Sequence, residues 1–158
     1  MAEKFVLLLF VVVTLAYGPQ LFAEAPSEIR DAQRIVVVTD DEGIHYQSGC
    51  AFYELRELLA TNEGNVSKDL APAGEPLFEV RTLSRSGNAT VYVGDHWMST
   101  SNGVTLLPTD MYERIVLLVQ KRKGQGVTKS NVEASIHQAS ALIQDAAFVE
   151  ENRCDRQF

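Results

Sequence analysis

The 158 residues carry 21 acidic against 14 basic side chains, a formal charge of −7, and a chain this acidic repels phosphate backbones, which argues against nucleic acid and anionic membrane surfaces as partners. With 46% apolar residues the composition is that of a globular protein, long enough for one domain with a real core and too short for two ordinary ones.

Residues 5–17 read FVLLLFVVVTLAY, an apolar run behind a short polar start that carries Lys4. A membrane-spanning helix needs about 20 residues to cross roughly 30 Å of hydrocarbon, so this shorter run suits the core of a secretory signal. Gly18 and Pro19 break it, and Ala23 and Ala25 then supply the small residues of a cleavage site. Residues 1–25 are therefore expected to be a signal peptide and 26–158 a single exported domain, periplasmic or extracellular, with no stable membrane anchor after cleavage. Removal of the leader takes the formal charge to −6. Cys50 and Cys154 both remain in the mature part, where an oxidising compartment favours a bridge between them. In the chain-entropy account, a loop that long stabilises the fold by about 4–5 kcal/mol.

The first strand is expected at residues 34–39, RIVVVT, rich in β-branched side chains. After the acidic turn Asp40, Asp41, Glu42, Gly43, the alternation of residues 44–47 completes a hairpin. Phe52, Leu55, Leu58 and Leu59 fall at helical spacing between a Ser48 cap and an Asn62–Gly64 stop, and residues 62–76 read as a surface loop. Two further strands span residues 77–84 and 89–93 around the turn Ser86, Gly87, Asn88. Another hairpin pairs 96–100 with 104–107 about Asn102-Gly103. Residues 111–123 contain IVLLV, which fits a buried strand or a buried helix. Thr109 and Asp110 at one end and Lys121, Arg122 and Lys123 before Gly124 at the other place charge as a helix does. The last helix opens on a capping box, Ser130 to Glu133, and carries the stripe Val132, Ile136, Ala139, Ile143, Ala146 and Ala147. Asn65-Val-Ser67 and Asn88-Ala-Thr90 are glycosylation sequons in expected loops or turns.

The expected fold is α+β: an antiparallel sheet of four or five strands with two or three helices, the C-terminal one packed on one face.

Chemistry-bearing residues are sparse. Asp95 and His96 are adjacent, but neighbours on an extended strand point to opposite faces and do not cooperate. His45, His96 and His137 lie on separate elements without ligand spacing, and the acidic turn 40–42 lacks the alternating oxygens of a calcium loop. The nucleophile elbow, Walker loop, dinucleotide glycine fingerprint, H-E-x-x-H and C-x-x-C patterns do not occur. No catalytic residue, metal ligand set or cofactor is assigned. The stretch GDHWMSTSNG, residues 94–103, sets the sole Trp and Met98 among small polar residues, as interface loops do. Asp95, His96, Trp97 and Met98 are therefore the expected binding residues, with Trp97 as a buried core plug the competing reading. The chain reads as a non-enzymatic exported protein that binds or inhibits a macromolecular partner, a protein being expected. The alternatives are a small hydrolase or transferase using Cys50 or His96, and a carrier of a metal or small ligand.

Overall fold

Arg34–Val38 form strand β1, and its four residues after Arg34 are all buried, so both faces of the strand need a cover. That requirement organises the molecule. The computed structural model describes residues 27–63, 66–145 and 154. After a four-residue helix α1 (Ser27–Arg30), β1 pairs with β2 (Glu42–Tyr46) in a hairpin, with Ile35 opposite Tyr46 and Val38 opposite Gly43. Helix α2 (Gly49–Glu63) then crosses to β3 (Phe78–Leu83), which lies on the other side of β1. A meander continues through β4 (Asn88–Gly94), β5 (Trp97–Thr100) and β6 (Gly103–Leu106). Helix α3 (Thr109–Gln120) brings the chain back to β7 (Val127–Thr128), which pairs with β2, and a 3₁₀ turn (Lys129–Asn131) leads into α4 (Val132–Gln144). The sheet order is β6-β5-β4-β3-β1-β2-β7, antiparallel throughout.

The two faces of β1 enter separate cores because alternate side chains point opposite ways. Ile35 and Val37 join Ile44, Tyr46, Val80, Val91, Val93 and Met98 beneath α2 (Phe52, Leu55, Leu59) and α3 (Ile115, Leu118, Val119). Val36 and Val38, with Leu83, meet the stripe Val132, Ile136, Ala139 and Ile143 of α4. This is the packing expected for the C-terminal helix; Ala146 and Ala147 of that stripe, Asn65 of the first sequon and residues 1–25, read as a signal peptide, lie outside the described residues. Polar ties hold α4 in register. Arg81 on β3 bridges Glu133, Asn88 donates to Ser140, and Arg85 donates to the carbonyl of Ile143.

The α+β class and the antiparallel sheet are as expected, and two counts are corrected. Among the described residues the sheet has seven strands rather than four or five, and there are four α-helices rather than two or three. β5 and β6 are the hairpin expected at 96–100 and 104–107; the elements not anticipated are β7, of two residues, and α1, of four. Elements of that length carry too few residues to display a period. Residues 111–123 resolve as the helix that charge placement favoured. The expected caps do not form. Pro108 is the N-cap of α3 and Asn131 that of α4, neither with a side-chain capping bond, and Glu133 turns to Arg81 instead of back to its helix.

Cys50 and Cys154 are bridged, with Cα atoms 4.7 Å apart. Because α2 and α4 lie on opposite faces of the sheet, a bond from the start of α2 to the residues after α4 ties the two helical layers together.

One buried acid builds the β7 edge. Glu42, 8% exposed, accepts a hydrogen bond from the amide of Gly124 on Oε1 at 2.6 Å and from that of Gly126 on Oε2 at 2.8 Å. A Cβ at position 126 would lie 2.6 Å from the Gly43 carbonyl, so glycine lets the loop close onto β2. Beside it, the Tyr46 hydroxyl donates to the Leu118 carbonyl and its ring lies under the Arg122 guanidinium. Burial pushes the Tyr46 phenol up to about 12, although the Arg122 charge pulls the other way. Glu42→Ala should lower the unfolding free energy by about 2–4 kcal/mol, because two bonds to an ionised acceptor are lost and two amides are orphaned. Glu42→Gln, which keeps one acceptor oxygen, should lose less; equal denaturation midpoints for all three proteins would contradict this role.

Candidate binding surface

The stretch 94–103 divides by strand alternation into buried and exposed parts. Met98 points into the core under α2 and α3, so its neighbour Trp97 points to the opposite face. Trp97 is nevertheless only 2% exposed. Its indole lies flat on Gly94, where an added Cβ would fall inside the ring, and Nε1–H donates to the Ala73 carbonyl at 3.1 Å. The loop of residues 66–76 is thereby folded over this end of the sheet. Ser67 exchanges two backbone bonds with Val104 on the outer edge of β6. The two large apolar side chains of the stretch are therefore internal, and its surface is made by what flanks them.

At one end, Asp95 and His96 form the two-residue turn between β4 and β5, with His96 in the left-handed region at φ 58°. A turn, unlike a strand, lets adjacent side chains meet. The reading that they cannot cooperate is corrected: His96 Nδ1 and Asp95 Oδ1 are 2.8 Å apart. The His96 ring stacks on Tyr112 of α3, centroids 4.2 Å apart. Burial raises the Tyr112 phenol, and the charge and hydrogen bond of Asp95 raise it further. These three side chains clip the hairpin to α3. Asp95 and His96 are well exposed, with 76% and 45% of their side-chain surface accessible.

At the other end, the β4–β5 ladder stops at Tyr92 opposite Ser99, while β4 runs back to Asn88. The step leaves a groove of about 600 Å³ lined by Glu28, Asn88, Thr90, Tyr92, Ser99 and Thr100, with Ala89, Ser101 and Asn102 at its margin. Sequence reasoning missed Tyr92, because a Tyr on a strand looks like any half-buried pleated position. The residue is 41% exposed.

The remaining chemistry-bearing residues are dispersed. His45 and His137 lie on β2 and α4, away from the β4–β5 turn that holds His96. Among the described residues no group of three or more His, Cys, Asp or Glu is placed to hold a metal ion. Cys50 is committed to its bridge. His45 meets Ser135 instead, Nε2 to Oγ 2.9 Å, in a pair that separation in sequence concealed. Ser135 donates its own proton to the Val132 carbonyl at 2.7 Å, so it accepts from His45 and is not activated as a nucleophile. No protein-family model, curated protein or solved structure matches the chain.

Two outcomes follow from these placements. Trp97→Ala should cost about 3–5 kcal/mol, as for other buried aromatics, read as a shift of the urea midpoint; a loss below about 1 kcal/mol would show that the indole is not a core element. Burial first, and the charge of Arg34 second, hold the His45 imidazole below its ordinary value. The unfolded chain therefore takes up this proton more readily, and stability should decline as pH falls from about 6.5 toward the lowered value, with no contribution above it. His45→Gln, which keeps a donor for Ser135, should flatten that part of the stability-against-pH curve; an unchanged slope would refute the assignment.

Proposed function

We propose that this chain is an exported, non-enzymatic protein that binds a macromolecular partner through the exposed side of β4 and β5. The observation that carries the reading is the arrangement of the 94–103 stretch. Its apolar residues are spent on packing, and its polar residues are displayed with Tyr92 on a part of the sheet beyond the helix α4. The bridge supports export, since such bonds persist in oxidising compartments. The leader read at residues 5–17 supports it independently. Among the described residues no helix is long and apolar enough to cross a membrane. The same bond bears on the alternative chemistry, because the sulfur that a thiol hydrolase or transferase needs is engaged.

Recovered from its own cells, the protein should begin after residue 23 or 25, carry the Cys50–Cys154 bridge and elute from a sizing column together with a partner. Tyr92→Ala combined with Ser99→Arg should release the partner while leaving the melting temperature within about 2 °C, since Tyr92 is exposed and Ser99 only half-buried. Recovery from cytosol with leader attached and both thiols free, or elution of the unaltered protein alone, overturns the reading.

A further inference from the structure

The groove beside Tyr92 has a chemistry of its own. Tyr92 and Thr90, two residues apart on β4, share a face, and Ser99 stands directly opposite Tyr92 on β5. An exposed aromatic ring thus has hydroxyls on two sides, with Glu79 of β3 opposite it on a third. Thr100 and Asn102 continue the rim, and the Asn102 amide donates to Thr100 Oγ1 at 3.1 Å, which holds the turn in place. Across the groove Asn88 donates to Ser140 of α4 at 3.4 Å, which fixes the amide against the helix.

The lining excludes most ligand classes by charge. It holds no Lys or Arg, so a phosphate, sulfate or carboxylate has no counter-charge. Glu28 is its one carboxylate, which is too few for a hard cation. Apart from Tyr92 it offers no large apolar side chain, whereas the hot spot of a protein interface needs anchors buried in a pocket. What remains is an amphipathic ring surrounded by groups that both donate and accept. A pyranose has the complementary pattern: an apolar C–H face that rests on an aromatic ring, and a rim of hydroxyls that need both donors and acceptors. The volume also falls within the roughly 300–1,000 Å³ of small-molecule sites.

We propose that this groove binds a neutral carbohydrate, with Tyr92 as the stacking platform and Thr90, Ser99 and Asn102 as hydrogen-bonding partners. The inference rests on the reading of this face as the binding surface and names its partner as a glycan. An open groove with one aromatic platform yields weak binding per site, on the order of 0.1–1 mM. Avidity on a polymer then supplies retention.

The test is an amide-shift titration of the isotope-labelled, bridged protein with cellopentaose, chitopentaose and maltopentaose in turn. At least one sugar should shift the amides of Tyr92, Ser99 and Thr100 saturably. Tyr92→Ala should weaken that sugar by about tenfold or more, and Tyr92→Phe, which keeps the ring, should bind within about threefold of the unaltered protein. No saturable shift with any of the three sugars, shifts confined to another face, or unchanged affinity in Tyr92→Ala overturns the assignment. If the Tyr92→Ala/Ser99→Arg protein loses its partner on the sizing column while no sugar binds, the carbohydrate inference fails and the binding reading stands. If sugar binding is found but no partner co-elutes, the inference stands and the macromolecular reading fails.

Discussion

Burial of β1 on both faces is the constraint from which the architecture follows. A strand reading Ile-Val-Val-Val places two β-branched or long apolar side chains on each side of the sheet, and water on either side would cost on the order of 1.5–3 kcal/mol for each exposed side chain. One helical layer satisfies only half of that demand. The chain meets the rest by sending α2 and α3 to one face and reserving α4 for the other. Strands farther from β1, on β4, β5 and β6, receive less cover, and there polar side chains appear on the face that α4 does not reach.

Beyond the buried apolar stripes, a few specific bonds connect the layers. Arg81 to Glu133 and His45 to Ser135 key α4 to the sheet. Exposed ion pairs such as Arg81–Glu133 contribute at most about 1 kcal/mol, so their part is orientation more than stability. The bridge from Cys50 to Cys154 acts differently, by restricting the unfolded chain across a separation of 104 residues. Glu42 is the most committed polar group, since both its oxygens are used by backbone amides of the loop before β7.

Exposed polar groups collect where packing is least demanding. Trp97 illustrates the trade. Its amphipathic side chain resembles an interface anchor in sequence, yet Gly94 and the loop carbonyl of Ala73 supply a better home for the ring and the N–H together. With Trp97 withdrawn, Tyr92 becomes the accessible aromatic of this face, and the small polar residues 99–102 become the rim around it.

The turn expected at Asn102-Gly103 falls one residue earlier, at Ser101-Asn102, but local signals were enough for the 34–47 hairpin, the helices at 49–63, 109–120 and 132–144 and the pairing of two cysteines in one chain. Each depends on neighbours within a few residues or on a parity count. The strand order, with β1 between β2 and β3, was not legible, because pairing across β1 is decided by which surfaces remain to be buried once α2 has crossed. Nor was the turn at Asp95-His96, since it lacks the Gly that marks a tight hairpin and relies on a left-handed histidine held by Tyr112. The exposure of Tyr92 and the burial of Trp97 belong to the same class. Both residues have the same alternation and near-equal propensity, and only the loop folding over one and stopping short of the other distinguishes them. Sequence by itself determined the type of the longer helices and strands; tertiary packing decided which aromatic faces water, because solvent access is a property of what lies above a residue and not of the residue.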